Sequence, residues 1–194
     1  MTGKQPFPIP SEETCQRLIA EMGMMTHIVA HSLQVQRVAL FLADRLAIPG
    51  LNRDLIRAAA HLHDITKTRS FTTHENHALT GGGLLADRGY PEVGRVIAQH
   101  VRLDCYFATD TPTEAEIVNY ADKRVVHDRI ASLNDRIAYI LEKYGQSEEQ
   151  KQGIITTWRK TERLETRLFA RLPFAPEEIE GLLAASPGEE GLDG

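Results

Sequence analysis

An all-α fold, a single helical bundle of about seven to nine helices, is predicted by three features of the sequence. Apolar residues recur at spacings of three and four along most of the 194 residues. Capping residues and Gly or Pro breaks punctuate those runs at helix-length intervals. No segment alternates apolar and polar residues as a half-buried strand would, and no long internal repeat is present. Hydrophobic residues at 42% and charged residues at 25% are ordinary for a globular chain able to bury a core.

The N-terminal Pro6, Pro8 and Pro10 make an extended lead-in, and Ser11 then caps a first helix whose Glu12 and Glu13 suit its positive end. A second helix, from about Thr26 to Leu46, carries Ile28, Val35, Val38, Ala39, Leu42 and Leu46 on one face, and His31 shares that face. Pro49-Gly50 breaks the chain, and Asn52 caps a third helix with Leu55, Ala59 and Leu62, running into His63 and Asp64. Ile65 to Thr73 is rich in hydroxyl and β-branched residues and is expected to be a loop.

A fourth helix holds His77, Leu84 and Leu85 and stops at Gly89, and Pro91 opens a fifth with Val93, Val96, Ile97 and His100 inward. Thr113 and Glu116 have capping-box spacing for a sixth, whose core side reads Ile117, Val118, Ala121, Val125 and Val126, with Asp122 among them. Leu133, Ile137, Ile140, Leu141 and Tyr144 mark a helix ending at Gly145. Ser147 and Gln150 then cap another, which carries Trp158, Leu164 and Leu168, and Pro176 opens a short last one. The expected organisation is an N-terminal extension and first helix over 1–25, a principal domain over 26–145, C-terminal helices over 146–185 and a disordered tail over 186–194.

A formal net charge of −5 argues against a protein that coats nucleic acid. Cys15 and Cys105 are far apart and in no Cys-x-x-Cys arrangement, so neither a disulfide framework nor a thiolate zinc site is expected. No stretch has the length of a signal peptide's apolar core or of a membrane span, and a cytoplasmic location is the expectation.

Collecting the polar residues that the helical pattern turns inward gives His31, His63, Asp64, His77, His100 and Asp122. A single buried histidine is usually a hydrogen-bonded core residue, but each of several on separate apolar faces must find a buried partner. One cluster satisfies them all, and imidazole nitrogens with carboxylate oxygens suit first-row divalent metals. Such a set can hold two cations with a carboxylate between them. The other histidines, His27, His61, His74 and His127, are read as structural or surface residues, although His27 and His74 lie one helical turn from His31 and His77.

This pattern resembles the HD-domain metal-dependent phosphohydrolases, in which a helical His, then His-Asp, then a distant Asp bind metal in an all-helical fold. His31, His63-Asp64 and Asp122 match residue by residue, over roughly residues 26 to 145. His77 and His100 fall where family members with two extra histidines carry a second metal. The family's His-Asp-Ile-Gly-Lys form has Thr66 in place of Gly here. Gly89-Tyr90-Pro91 spells the tripeptide of the cyclic-di-GMP-degrading branch but precedes His100 rather than following it. Gly81-Gly82-Gly83 lacks the ending of a phosphate loop and reads as close helix packing or a weak helix.

The resemblance implies Asp64 as bridging ligand, Lys67 as phosphate contact, and two divalent ions per chain, with Mn, Fe, Zn, Co, Ni or Mg open. Asp64 and Lys67 would then be the catalytic residues, and Arg69, Lys123, Arg124 and Arg129 candidates for further phosphate contacts. The implied activity is cleavage of a phosphate ester or phosphoanhydride of a nucleotide-like substrate by metal-activated water, with the diadenosine-polyphosphate hydrolases of the group as one similar case. The alternatives are a di-iron oxygenase on the same ligands and a non-catalytic nucleotide-binding module. The expected partner is the small phosphate or nucleotide substrate, without nucleic acid or membrane, and with a homodimer left open.

Overall fold

The computed structural model describes residues 7–185, and the expected tail, 186–194, lies outside them. The chain is all-α, apart from one two-stranded hairpin among the described residues. The helices are α1 (Glu12–Glu21), α2 (Thr26–Leu46), α3 (Arg53–Leu62), α4 (Lys67–Thr73), α5 (His77–Asp87), α6 (Pro91–Ile97), α7 (Glu114–Lys123), α8 (Leu133–Tyr144), α9 (Glu148–Phe169) and α10 (Ile179–Ala185). No described helix is long and apolar enough to cross a membrane.

The caps explain most boundaries. Ser11 and Asn52 accept from the Thr14 and Leu55 amides. Thr113–Glu116 and Ser147–Gln150 close reciprocal capping boxes, and Pro91 stands in the first turn of α6. The core forms where α2 packs against α3 and α7, with Val35, Val38, Ala39, Leu42, Ile56, Ile117 and Val118 fully or almost fully buried. Ala58, Ala59 and Ala60 are all buried in α3, which also touches α6.

The Gly-rich stretch in α5 is a packing device, as its sequence suggests. A Cβ on Gly82 would stand 2.8 Å from the Gly94 carbonyl oxygen of α6, so the two helices meet backbone to backbone.

Three local expectations are corrected. The segment after Ile65 is not a loop throughout, because Lys67–Thr73 forms α4. Its Ser70 and Thr73 hydroxyls donate back to the Lys67 and Arg69 carbonyls at 2.7 and 3.2 Å, and none of its residues is buried, so no apolar periodicity betrays it. His100 does not extend α6 but stands in the turn after Ile97. Val125 and Val126 leave α7 to form a strand, β1, antiparallel to β2 (Arg129–Ile130), with Val125 opposite Ile130 and Val126 opposite Arg129.

Candidate metal centre

The six inward polar residues come from five places in the chain. His31 stands on α2, His63 and Asp64 on the turn that closes α3, His77 at the start of α5, His100 past α6, and Asp122 near the end of α7. Five of them are buried, and His77 keeps a partly open side chain at 24%. The packing of α2, α3 and α7 that builds the core thus also builds the cluster.

The two oxygens of Asp64 divide the donors. Oδ1 faces Nε2 of His77 at 3.2 Å and Nε2 of His100 at 3.4 Å, and those two nitrogens are 3.2 Å apart. Oδ2 faces His63 Nε2 at 3.4 Å and takes Lys67 Nζ at 2.6 Å. On the other side, Asp122 Oδ1 lies 3.1 Å from His31 Nε2 and 3.7 Å from His63 Nε2. His31, His63 and Asp122 form one set of mutually close donor atoms, and His63, Asp64 and His100 form another.

Backbone carbonyls set the direction of the imidazoles. His63 Nδ1 donates to Ala60 O at 2.8 Å, His100 Nδ1 to Ile97 O at 2.7 Å, and His31 Nδ1 to His127 O at 2.8 Å. A carbonyl only accepts, so each Nδ1 carries the hydrogen, and in the neutral ring Nε2 presents a lone pair to the carboxylates. Lone pairs facing carboxylate oxygens in a buried site need a cation between them. Accordingly, His63 Nε2 and Asp64 Oδ1 are buried without a hydrogen-bond partner. The donor set therefore fits divalent metal, with nitrogen and oxygen ligands and no thiolate.

Electrostatics holds both carboxylates of the cluster ionised and acts in opposite directions on His100 and His63. Burial disfavours ionisation of Asp64, but His63, His100 and His77 outweigh it and hold the carboxyl well below its usual range. Asp122 is likewise held down against burial by Lys123, His31 and Arg136. Burial pushes the His100 imidazole down to about 4, so it is neutral at pH 7. His63 is raised, because Asp64 and Asp122 exceed the effect of its burial.

The basic residues divide differently from expectation. Lys67 lies at the rim, its side chain 26% exposed, with its charge on Asp64. Arg69 is exposed and pairs with Glu75 at 2.6 Å, and Arg129 is exposed on β2. Lys123, expected to reach substrate, is buried with its ammonium on Asp122 Oδ2 at 3.0 Å and on the His100 carbonyl. Arg124 is turned away altogether. It is spent on Ala131 O, Tyr120 Oη, Glu165 and Pro176 O, where it ties α7 to the C-terminal helices. Helical rotation is the reason, since residues adjacent to an inward Asp122 point along other radii of α7.

Among the remaining histidines, His27 and His74 are exposed, and His61 is buried against Glu12 at 3.0 Å. The His127 side chain is exposed, but its main chain matters. At φ 55° in the hairpin turn, it aims its carbonyl at His31. Arg136 is a contact that the sequence analysis missed, with Nη2 3.5 Å from Asp122 Oδ1. Its signal was available: Arg136 lies three residues after Leu133 and four before Ile140, a charge on the apolar stripe of α8.

The HD domain family matches residues 28–125, a span that contains all six clustered residues. The crystal structure of a predicted HD superfamily hydrolase from an uncultured Thermotogales bacterium is similar at 21% identity, covering 84% of this chain and 93% of that one, with a TM-score of 0.47. No curated protein matches the chain.

Proposed function

The chain belongs to the HD-domain family, and we propose that it is a metal-dependent hydrolase that cleaves a phosphate ester or phosphoanhydride of a nucleotide-like substrate. The observation that carries this reading is the buried carboxylate Asp64, whose Oδ1 lacks a hydrogen-bond partner while facing His77 and His100, and whose Oδ2 faces His63. In this reading His31, His63 and Asp122 would hold one cation, and Asp64, His77 and His100 would hold a second. Bound divalent cations supply an acidified water and polarise the phosphoryl oxygens.

The chain's own groups do the rest. Ala60, Ile97 and His127 carbonyls fix the tautomers of the ligating rings. Lys67, three residues past Asp64 and open to solvent on one side, offers its ammonium to the phosphoryl oxygens, where charge grows in the transition state. Elemental analysis of protein purified without chelator, followed by a phosphate-release screen over nucleotides, tests the proposal. Bound divalent metal and release that His63→Ala or Asp64→Ala abolishes are the expected results. Metal-dependent oxygen consumption without phosphate release would instead assign the same ligands to a di-iron oxygenase.

A further inference from the structure

Arg136 brings to the cluster a cation that the fold leaves incompletely used. Its Nη2 contact with Asp122 is long, 3.5 Å, and its Nε is buried with no hydrogen-bond partner. No other arginine or lysine among the described residues has a buried nitrogen in that state. The side chain is 12% exposed, with the guanidinium 5.7 Å from the Tyr139 ring, and that ring is itself 5.3 Å from the His127 ring. Arg136 is thus held beside the cluster by α8 and by the hairpin turn that orients His31.

Asp122 does not require this second cation, since Lys123 Nζ already sits 3.0 Å from its Oδ2 and His31 Nε2 3.1 Å from its Oδ1. A guanidinium sharing that carboxylate with a divalent ion is repelled by it, unless an anion lies between the two. An oxyanion also supplies what the orphaned Nε lacks, because the planar guanidinium fork matches two phosphoryl oxygens. Lys67 stands at the Asp64 end of the cluster and Arg136 at the Asp122 end.

We propose that Arg136 is a substrate-binding residue that holds a phosphoryl oxyanion at the Asp122 end of the site, opposite Lys67. The assignment rests on the phosphohydrolase reading of the cluster. It gives α8 the phosphate contact that Lys123 and Arg124, buried in other bonds, do not make.

Calorimetric titration of the metal-loaded protein with inorganic phosphate, on wild type, Arg136→Gln and Arg136→Lys, tests it, with metal content measured on each sample. The lysine variant keeps the stem and the charge, and so guards against loss of fold. Unchanged metal content is expected in both, with phosphate affinity about ten- to a hundredfold weaker in Arg136→Gln, as for a lost charge-assisted hydrogen bond. A smaller loss is expected in Arg136→Lys, and KM for a cleaved ester should rise more than kcat falls. Wild-type phosphate affinity in both variants overturns the proposal. So does a fall in metal content with unchanged affinity per loaded chain, which would make Arg136 a counter-ion of Asp122 only. Phosphate binding that depends on Arg136 in a protein that cleaves no phosphate ester would overturn the proposed activity and leave this assignment standing.

Discussion

The Thr66 hydroxyl donates a 2.8 Å hydrogen bond to the His77 carbonyl, joining the turn that carries His63 and Asp64 to the first residue of α5. Thr66 is fully buried and also lies 3.1 Å from Thr80 Oγ1. The turn itself does not demand the glycine of the related motif, because Thr66 has φ −104°. A side chain is therefore tolerated here and used to join two elements that carry residues of the cluster.

Thr66→Gly is expected to lower stability by roughly 1 to 3 kcal/mol, by removing a buried hydrogen bond and adding backbone freedom. It should weaken metal at the His77 and His100 end more than at the His31 end. Thr66→Ser, which keeps the hydroxyl, should restore most of both. Thermal melting and metal titration read the two effects, and equal metal affinity in all three proteins would contradict the role.

Close packing of α5 on α6 gives a second prediction. A methyl on Gly94 would run into the Gly82 carbonyl of the facing helix, and backbone cannot swing aside as a side chain does. Gly94→Ala should cost roughly 1 to 3 kcal/mol, within the range for overpacking. Gly83→Ala, where an added Cβ meets nothing within 4 Å, should be neutral or mildly stabilising. Denaturant midpoints compare them directly.

What was legible in the sequence was whatever left an apolar stripe. His31, His63, His100 and Asp122 interrupt hydrophobic faces, so their convergence could be inferred before the fold was seen. α4 was not legible, because none of its residues is buried and its hydroxyls bond to its own backbone. The different destinations of Lys123, on Asp122, and Arg124 were not legible for another reason. Nearness in sequence to Asp122 says little about direction around a helix, and Arg124 ends among Tyr120, Glu165 and Pro176 instead. The His127 carbonyl is a main-chain contact in a turn of positive φ and carries no side-chain signature.

The two cysteines should react differently with thiol reagents. Burial pushes the Cys15 thiol up to about 11 from an ordinary 9.0, whereas Cys105 is exposed. At pH 8 an aromatic disulfide reagent should titrate Cys105 rapidly and Cys15 only after denaturation. The unfolded chain loses the Cys15 proton first, so this group lowers folding stability as pH rises from about 9 to about 11. Rapid modification of both thiols in the native protein would show that α1 does not seal Cys15.

Metal stoichiometry separates the two halves of the cluster. His31 and Asp122 sit on one side of His63, while His77 and His100 converge on Asp64 Oδ1 on the other. If each half holds its own cation, replacing His77 and His100 together by alanine removes one metal per chain and spares the other, because His31, His63 and Asp122 remain in place. Phosphate release should then fall by orders of magnitude, since one cation cannot stabilise attacking and leaving oxygens together as two can. Helical content should hold, because His77 is partly exposed and the packing of α2 on α3 and α7 does not involve either residue. Elemental analysis on metal-saturated protein decides the matter: about two metals falling to about one supports the division, and one metal both before and after the replacement makes the site mononuclear.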